Sequence, residues 1–305
     1  MRFKAETGVQ RVTIGIPSYN EGQNITNLLL SLEAQDARIF EVIISDDSSD
    51  QTPDLVRDFA QHSSLNIRLF HHNGRRGAAA AWNQIFQEAA GDIIVLYDAD
   101  TIPHPFCTNQ LVSSIQGNVG LCASNPQPVQ SEGIAGKASA FISKWLRSVR
   151  LSGLSQYTVM GRALAIDSRL AKNIEIPTNI IAIDLYIQCK TLELGHRVVY
   201  NDNAIVYFRP ANTMEDITSQ VMRAVNGHNQ IKEYVSSFGI SLPVRVMIAH
   251  AAKNAVKDPV GALSVLVGYS LSPYYRSRLD HISNATWHTA TSSKTIDYQQ
   301  LKTRF

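Results

Sequence analysis

Cysteine is scarce in this 305-residue chain: there are three, Cys107, Cys122 and Cys189, and no two have CxxC spacing. An odd and scattered set excludes a disulfide scaffold, a zinc ribbon and a thioredoxin-type motif, and reads as free thiols in a reducing compartment. Net charge is almost absent, at +2. That excludes a nucleic-acid binder that depends on a strong basic excess. Charged residues are only 18% of the chain against 44% hydrophobic, which excludes a disordered protein. Long apolar runs are missing as well. The nearest candidate, Pro259 to Tyr275, is uncharged but interrupted by Gly261, Gly268, Pro273 and serines, whereas a spanning helix needs roughly 20 apolar residues. It reads as a buried or interfacial helix. The opening MRFKAETGVQRVTIGIP lacks the apolar core of a secretory leader, so the expectation is a cytoplasmic protein. In that setting the glycosylation-like triplets at Asn24 and Asn284 carry no meaning.

What is present is a regular alternation of strand and helix signals, in a chain long enough to bury a large core without staples. Val12 to Ile16 is a β-branched run ending at Pro17, and Ile25, Leu28, Leu29 and Leu32 follow with helical spacing. Phe40 to Ile44 is continuously apolar, as in a strand covered on both faces. Thr52-Pro53 reads as an N-cap and first helical residue. Ile67 to Phe70 predicts a third strand, Gly77 to Ala90 a helix closed by Gly91, and Ile93 to Tyr97 a fourth strand. Such βα repeats predict an open, mostly parallel central sheet flanked by helices. Ligands then sit beyond the C-terminal strand ends. The polar clusters fall there: Pro17-Ser18-Tyr19-Asn20-Glu21, Ser45-Asp46-Asp47-Ser48, Asn73-Gly74-Arg75-Arg76-Gly77 and Asp98-Ala99-Asp100. Each alone is an ordinary turn composition; four at successive strand ends point to one site. Asp98 and Asp100 are suited to Mg²⁺ or Mn²⁺, which takes one or two carboxylates and fills the remaining positions with water and phosphate.

The blocks IGIPSYNEGQNI, ISDDSSDQT, NGRRGAAAAWN and GDIIVLYDADTIPHP resemble family 2 of the inverting glycosyltransferases, strongly over residues 10–106 and more weakly to about 235. The resemblance implies a GT-A fold and sugar transfer, with inversion, from a nucleotide-diphosphate donor, with Mn²⁺ or Mg²⁺ as cofactor. It implies that Pro17 and Tyr19 pack against the nucleoside, that Glu21 follows that turn, that Asp47 hydrogen-bonds the base beside Asp46, and that Arg76 and Gly77 border the nucleotide. Asp98 and Asp100 match the metal motif, Asp100 being the more direct ligand. A UDP-sugar is the favoured donor, and a glycan or lipid-linked acceptor in polysaccharide or glycoconjugate synthesis is the expected partner.

An inverting transferase needs a general base at the acceptor hydroxyl, and the family's motif falls on Asp184, at the start of a helix expected over 184–194. Ile183 stands where the family often has glutamate. Asp167 is the competing acid, at a turn after a strand. On the acceptor side the resemblance singles out Gly161; Arg162, directly after it, is a candidate to meet a negatively charged group, and Arg223 and His228 are candidates for the donor phosphates. Gln220-Val221-Met222-Arg223 partly matches the Gln-x-x-Arg-Trp motif of polymerising members, but Ala224 replaces the tryptophan, which favours transfer of single sugars. Two short strands, 197–200 and 204–208, are expected around a turn at Asn201-Asp202-Asn203, followed by one helix over 213–238. The expected organisation is a transferase domain over 1–238, with a nucleotide half at 10–106 and an acceptor half at 107–238, then a helical extension and loose polar tail at 239–305.

In that extension Arg245, Lys253, Lys257, Arg276 and Arg278 flank apolar stretches. The pattern suits peripheral membrane contact through 243–281 and equally a core helix with snorkelling basic residues. The tail from Trp287 to Lys294 resembles a Trp…Ser-Thr-Lys ending of some polysaccharide-building members, with Ser293 in place of threonine.

Rival readings lack their motifs. A sugar nucleotidyltransferase needs a glycine-rich loop where Pro17-Ser18-Tyr19 stands. No GxGxxG follows the first strand, no GxSxG or HExxH occurs, and Gly133 to Ala138 lacks P-loop spacing. A catalytically degenerate sugar-nucleotide-binding scaffold would not need Asp98, Asp100 and Asp184 together; Ile183 is the one residue in its favour.

Overall fold

The computed structural model describes residues 10–129, 133–154, 162–238, 244–279 and 297–304. The first half alternates as expected: β1 (Val12–Ser18), α1 (Ile25–Glu33), β2 (Ile39–Asp46), α2 (Thr52–His62), β3 (Ile67–His71), α3 (Ala78–Glu88) and β4 (Ile93–Tyr97). Every residue of β1 and β4 is buried, because helices cover both faces of the sheet. The second half adds β5 (Thr101–Pro103), α4 (Cys107–Ser113), β6 (Val119–Pro128), α5 (Gly133–Val149), β7 (Ala163–Asp167), α6 (Ser168–Lys172), α7 (Ile183–Glu193) and β8 (Arg197–Phe208). Helices α8 (Met214–Gln230), α9 (Lys232–Ser237), α10 (Val244–Lys257), α11 (Pro259–Leu279) and the short α12 (Tyr298–Leu301) complete the chain.

Among the described residues one sheet holds all eight strands, in the order β3-β2-β1-β4-β7-β6-β8-β5. It is parallel from β3 to β4 and mixed beyond, where β7 runs antiparallel to both β4 and β6. One apolar core lies against α1, α2 and α4, around Leu28, Leu29, Val56 and Leu111; the other lies against α3, α6 and α7, around Trp82, Phe86, Leu170 and Ile187. Glu41 is a buried carboxylate in the middle of β2. Its carboxylate accepts from Thr13 Oγ1 at 2.8 Å, Ala90 N at 2.7 Å and Arg68 Nη1 at 3.1 Å, and so ties β1, β2, β3 and the turn before β4.

Four expectations are corrected. Helix α2 includes Thr52, and Gln51 takes the N-cap position; Asp50 Oδ1 accepts from Thr52 N at 3.0 Å. The two strands expected on either side of Asn201-Asp202-Asn203 are one strand, β8, but the irregularity expected there remains as a bulge. Residues 201–204 stand opposite the single residue Ser124 of β6, between the pairs Ala123↔Tyr200 and Asn125↔Ile205. Asn203 N donates to Asn201 Oδ1 at 2.9 Å, as in an Asx turn, and Asn125 Nδ2 donates to Asp202 O at 2.8 Å. The helix expected over 213–238 divides into α8 and α9 at Ile231. The tail is not loose over 297–304. Tyr298 and Leu301 are buried with Ile102 and Phe208, and Tyr298 N donates to Asn27 Oδ1 on α1 at 3.2 Å.

Candidate active site

The strand ends of the parallel half carry the first part of the site. Pro17 and Ser18 close β1, and Asn20 follows with φ 54°, a left-handed residue that asparagine tolerates better than most. Its turn is fixed from the next strand: Asn20 N donates to Ser48 Oγ at 2.7 Å and Asn20 Oδ1 accepts from Ser49 N at 2.9 Å. Glu21 is built into the start of α1. Its carbonyl accepts from Asn24 N and Ile25 N at 2.9 Å, and its carboxylate from Asn24 Nδ2 at 2.9 Å.

Asp46 and Asp47 have different surroundings. Asp46 is fully buried between Ser48 Oγ, at 2.5 Å, and His71 Nδ1, at 2.7 Å. Asp47 instead holds the loop after β3. Its Oδ2 accepts from Arg76 N at 2.7 Å and Gly77 N at 3.0 Å, and its Oδ1 from Arg76 Nε at 3.0 Å. Arg76 Nη2 then reaches Ser45 Oγ and Gln84 Oε1, each at 3.0 Å. Gly77, at φ 92°, adopts a conformation that a side chain would strain, and it opens α3. Arg75 lies over the Tyr19 ring at 4.1 Å. The result is a small pocket lined by Pro17, Ser18, Tyr19, Asp47, Arg75 and Gly77.

The second part stands beside it, at the end of the neighbouring β4. Asp98, Ala99 and Asp100 form a tight connection to β5, closed by Thr101 N and Oγ1 donating to Asp98 O at 3.2 and 2.6 Å. The antiparallel register Tyr97↔Ala163 sets Arg162 opposite Asp98, and Asp98 N donates to Arg162 O at 3.1 Å. Arg162 Nη1 bridges both oxygens of Asp100, at 3.2 and 3.1 Å, with its guanidinium 4.2 Å over the Phe208 ring.

Asp184 enters as the second residue of α7, and Arg223 from α8. Helix α8 approaches the N-cap of α7 closely because position 227 is glycine. A Cβ there would lie 2.9 Å from Ala182 Cβ and 3.0 Å from Ala182 N. Gln230 completes the clamp, accepting from Ile181 N at 3.0 Å and donating to Asn179 O at 2.6 Å. Arg223 is one helical turn before Gly227 on the same face. Burial first, then Asp100 and Asp184, push the Asp98 carboxyl well above its usual range, while Arg162 and Arg223 oppose the shift. Arg223 is solvent-exposed on one side, yet crowding by protein atoms lowers its pKa, against the pull of Asp184, Asp98 and Asp100. Three carboxylates and two guanidiniums from separate elements thus share one electrostatic cluster.

Among the described residues, no three His, Cys, Asp or Glu side chains converge as a complete metal cage. Two carboxylates that repel in a desolvated setting nevertheless fit a divalent ion that keeps positions for phosphate and water. His228 is exposed in the last turn of α8, about 140° round the helix from Arg223, and does not join the cluster. Asp167 caps α6 instead of approaching it, accepting from Arg169 N and Leu170 N. Gly161 and the segment from Trp287 to Lys294 lie outside the described residues. Sequence reasoning missed the supports His71, Gln84 and Phe208, and gave Ser45 no role of its own within its polar cluster. The first three sit in no motif, and only the folded sheet brings all four to Arg76, Asp46 and Arg162.

Residues 13–163 match the model of the family described as glycosyl transferase family 2. A poly-beta-1,6-N-acetyl-D-glucosamine synthase of Staphylococcus epidermidis is 24% identical over 234 residues, covering 73% of this chain and 56% of that protein. The chain thus spans a little over half the length of the curated relatives it matches. Among solved structures, the mannosyltransferase PcManGT from Pyrobaculum calidifontis, in complex with GDP-Man and Mn²⁺, superposes with a TM-score of 0.57 at 21% identity, over 92% of this chain and 86% of that one. S. aureus TarS 1–349, in complex with UDP-GlcNAc, does so with a TM-score of 0.52 at 18% identity, over 88% and 92%. The fold is therefore GT-A, and residues 13–163 carry the pattern of glycosyl transferase family 2.

Proposed function

We propose that this protein is a metal-dependent, inverting glycosyltransferase that moves a sugar from a nucleotide-diphosphate donor, a UDP-sugar first, to a glycan or lipid-linked acceptor in cell-surface polysaccharide or glycoconjugate synthesis. The observation that carries the reading is the meeting of Asp98, Asp100, Asp184, Arg162 and Arg223 beside the pocket of Pro17, Tyr19, Asp47 and Gly77. The nucleoside rests in that pocket, against Tyr19, with the Arg76–Gly77 loop held in place by Asp47. Asp46, Glu21 and Arg76 shape the pocket rather than enter it. Arg223 and Arg162 face the diphosphate. Asp184 takes the proton of the acceptor hydroxyl, whose oxygen attacks the anomeric carbon from the side opposite the departing diphosphate. Asp98 and Asp100 would hold Mn²⁺ or Mg²⁺, which would supply Lewis-acid neutralisation of that leaving group. Ala224 favours one sugar per binding event. The protein works on the cytoplasmic side, at the inner face of the membrane.

A thermal-shift panel tests this reading. UDP, GDP, dTDP and CDP are each added with and without Mn²⁺, to the natural chain and to Asp100→Asn. A ligand at about 100 times its Kd stabilises by roughly 2.7 kcal/mol. The expected result is a Mn²⁺-dependent shift with one carrier that the variant loses. If no carrier shifts the midpoint, the donor-site reading fails.

A further inference from the structure

Helices α10 and α11 leave an apolar surface uncovered. Helix α10 is fixed to α5 along one side: Trp145 Nε1 donates to Met247 O at 2.9 Å, His250 Nδ1 meets Ser148 Oγ at 3.1 Å, and Asn254 Nδ2 donates to the same Ser148 Oγ at 2.9 Å. On the opposite side Val244, Ile248, Ala252 and Val256 form a row in steps of four, all exposed, Val256 to 85%. The adjoining row, Arg245, Ala249, Lys253 and Lys257, is also exposed and carries three positive charges. Helix α11 continues the surface with Val260, Leu263, Leu266 and Tyr269, exposed in steps of three. Between residues 244 and 270 the only acidic side chain is Asp258, and it is engaged by Lys144 Nζ and Gly261 N, each at 2.9 Å.

We propose that this α10–α11 face docks on an anionic lipid bilayer. The chemistry selects that occupant. Apolar side chains bordered by lysine and arginine, with tyrosine at one end, suit the boundary between headgroups and acyl chains. No helix among the described residues is long and apolar enough to cross a membrane, so the face lies on the surface instead of spanning it. A second copy of the chain fits poorly, because a two-fold pairing of this face would set the basic rows of both copies together with no acid between them. The geometry also links the face to the site. Helix α11 packs on α8, the helix that carries Arg223, and Gly268 stands where a Cβ would meet Met214 Cε. The inference goes beyond the donor chemistry proposed above and does not depend on it.

The test is co-sedimentation of the full chain with vesicles of phosphatidylcholine, with or without phosphatidylglycerol, at low and high salt. Binding is expected only with phosphatidylglycerol, and weaker in high salt. Lys253→Glu with Lys257→Glu should weaken it at least thirtyfold, a basic residue near an anionic surface contributing about a factor of five. Ile248→Glu with Leu263→Glu should abolish it. All four side chains are exposed, so the variants should keep the natural midpoint and the natural nucleotide-induced shift. Vesicle binding lost without loss of that shift separates this inference from the reading of the donor site. Equal binding with and without phosphatidylglycerol overturns it, as does binding that survives both double variants. A dimer in sedimentation velocity that Ile248→Glu dissociates would assign the face to a second copy instead.

Discussion

Asp47→Asn is the most informative single change, because three bonds converge on one carboxylate. Oδ2 accepts from two backbone donors, Arg76 N and Gly77 N, and Oδ1 accepts from Arg76 Nε. Asparagine can keep its carbonyl toward the backbone donors, but its amide then faces Nε. Two charge-assisted bonds become neutral ones and a third is replaced by donor against donor. Asp47 is buried, whereas the Arg76 side chain is one-third exposed, so the Arg76 share is discounted for solvent. The sum is about 3 kcal/mol, or a midpoint lower by roughly 5 to 10 °C. The loop lines the proposed nucleotide pocket, so the nucleotide-induced shift should shrink as well. Arg76→Met removes the side-chain bonds and leaves the backbone ones. The double variant should then be less destabilised than the two single costs added, by about 1 kcal/mol. Thermal unfolding with and without nucleotide measures all three. An unchanged midpoint and nucleotide shift in Asp47→Asn would refute the reasoning, and so would strict additivity.

Asp184→Asn should lower transfer by about 10² to 10⁴, the usual contribution of a positioned base, with nucleotide binding intact; near-natural turnover removes it from that role. Gly227→Val should drive a side chain into Ala182 and separate α8 from α7, costing about 1–3 kcal/mol. Turnover should fall while the nucleotide-induced shift stays, and Gly227→Ala should be milder; equal activity in all three would mean the close approach is unimportant. Arg147, bonded to Asp202 through Nε at 2.7 Å and Nη2 at 2.6 Å, holds the Asp202 carboxyl below its usual range. A lowered native pKa stabilises fully above the unfolded value and is lost as pH falls through it. The advantage of the natural chain over Asp202→Asn should therefore be constant above about pH 5 and fade below about pH 4. Denaturant titrations across pH measure it, and a difference that grows toward acid would contradict the assignment.

The three thiols agree with their sequence reading. All are buried and free, and burial pushes Cys107 up to about 12 and Cys122 and Cys189 to about 11. They are inert packing residues, since reactivity needs the thiolate.

Sequence alone determined the parts that depend on short-range pattern. Apolar runs such as Phe40–Ile44 and Ile93–Tyr97 demand burial on both faces, so they must be inner strands, and the polar clusters after them must fall on one edge. That was enough to set Pro17, Asp47, Gly77, Asp98 and Asp100 together and to show what chemistry they suit. Tertiary structure decided everything that depends on register and close approach between distant segments. Arg162 meets Asp98 and Asp100 because β7 lies antiparallel to β4 in one register. Arg223 reaches Asp184 because Gly227 lets two helices touch. Asp46 and Asp47 read alike in sequence, yet one is paired with His71 and the other with the Arg76–Gly77 loop. Asn201-Asp202-Asn203 carries turn residues, yet the pairing of β6 on either side makes it a bulge within one strand, with Asp202 tied to Arg147. In each case the deciding energy is burial or pairing across tens of residues, and no local periodicity records it.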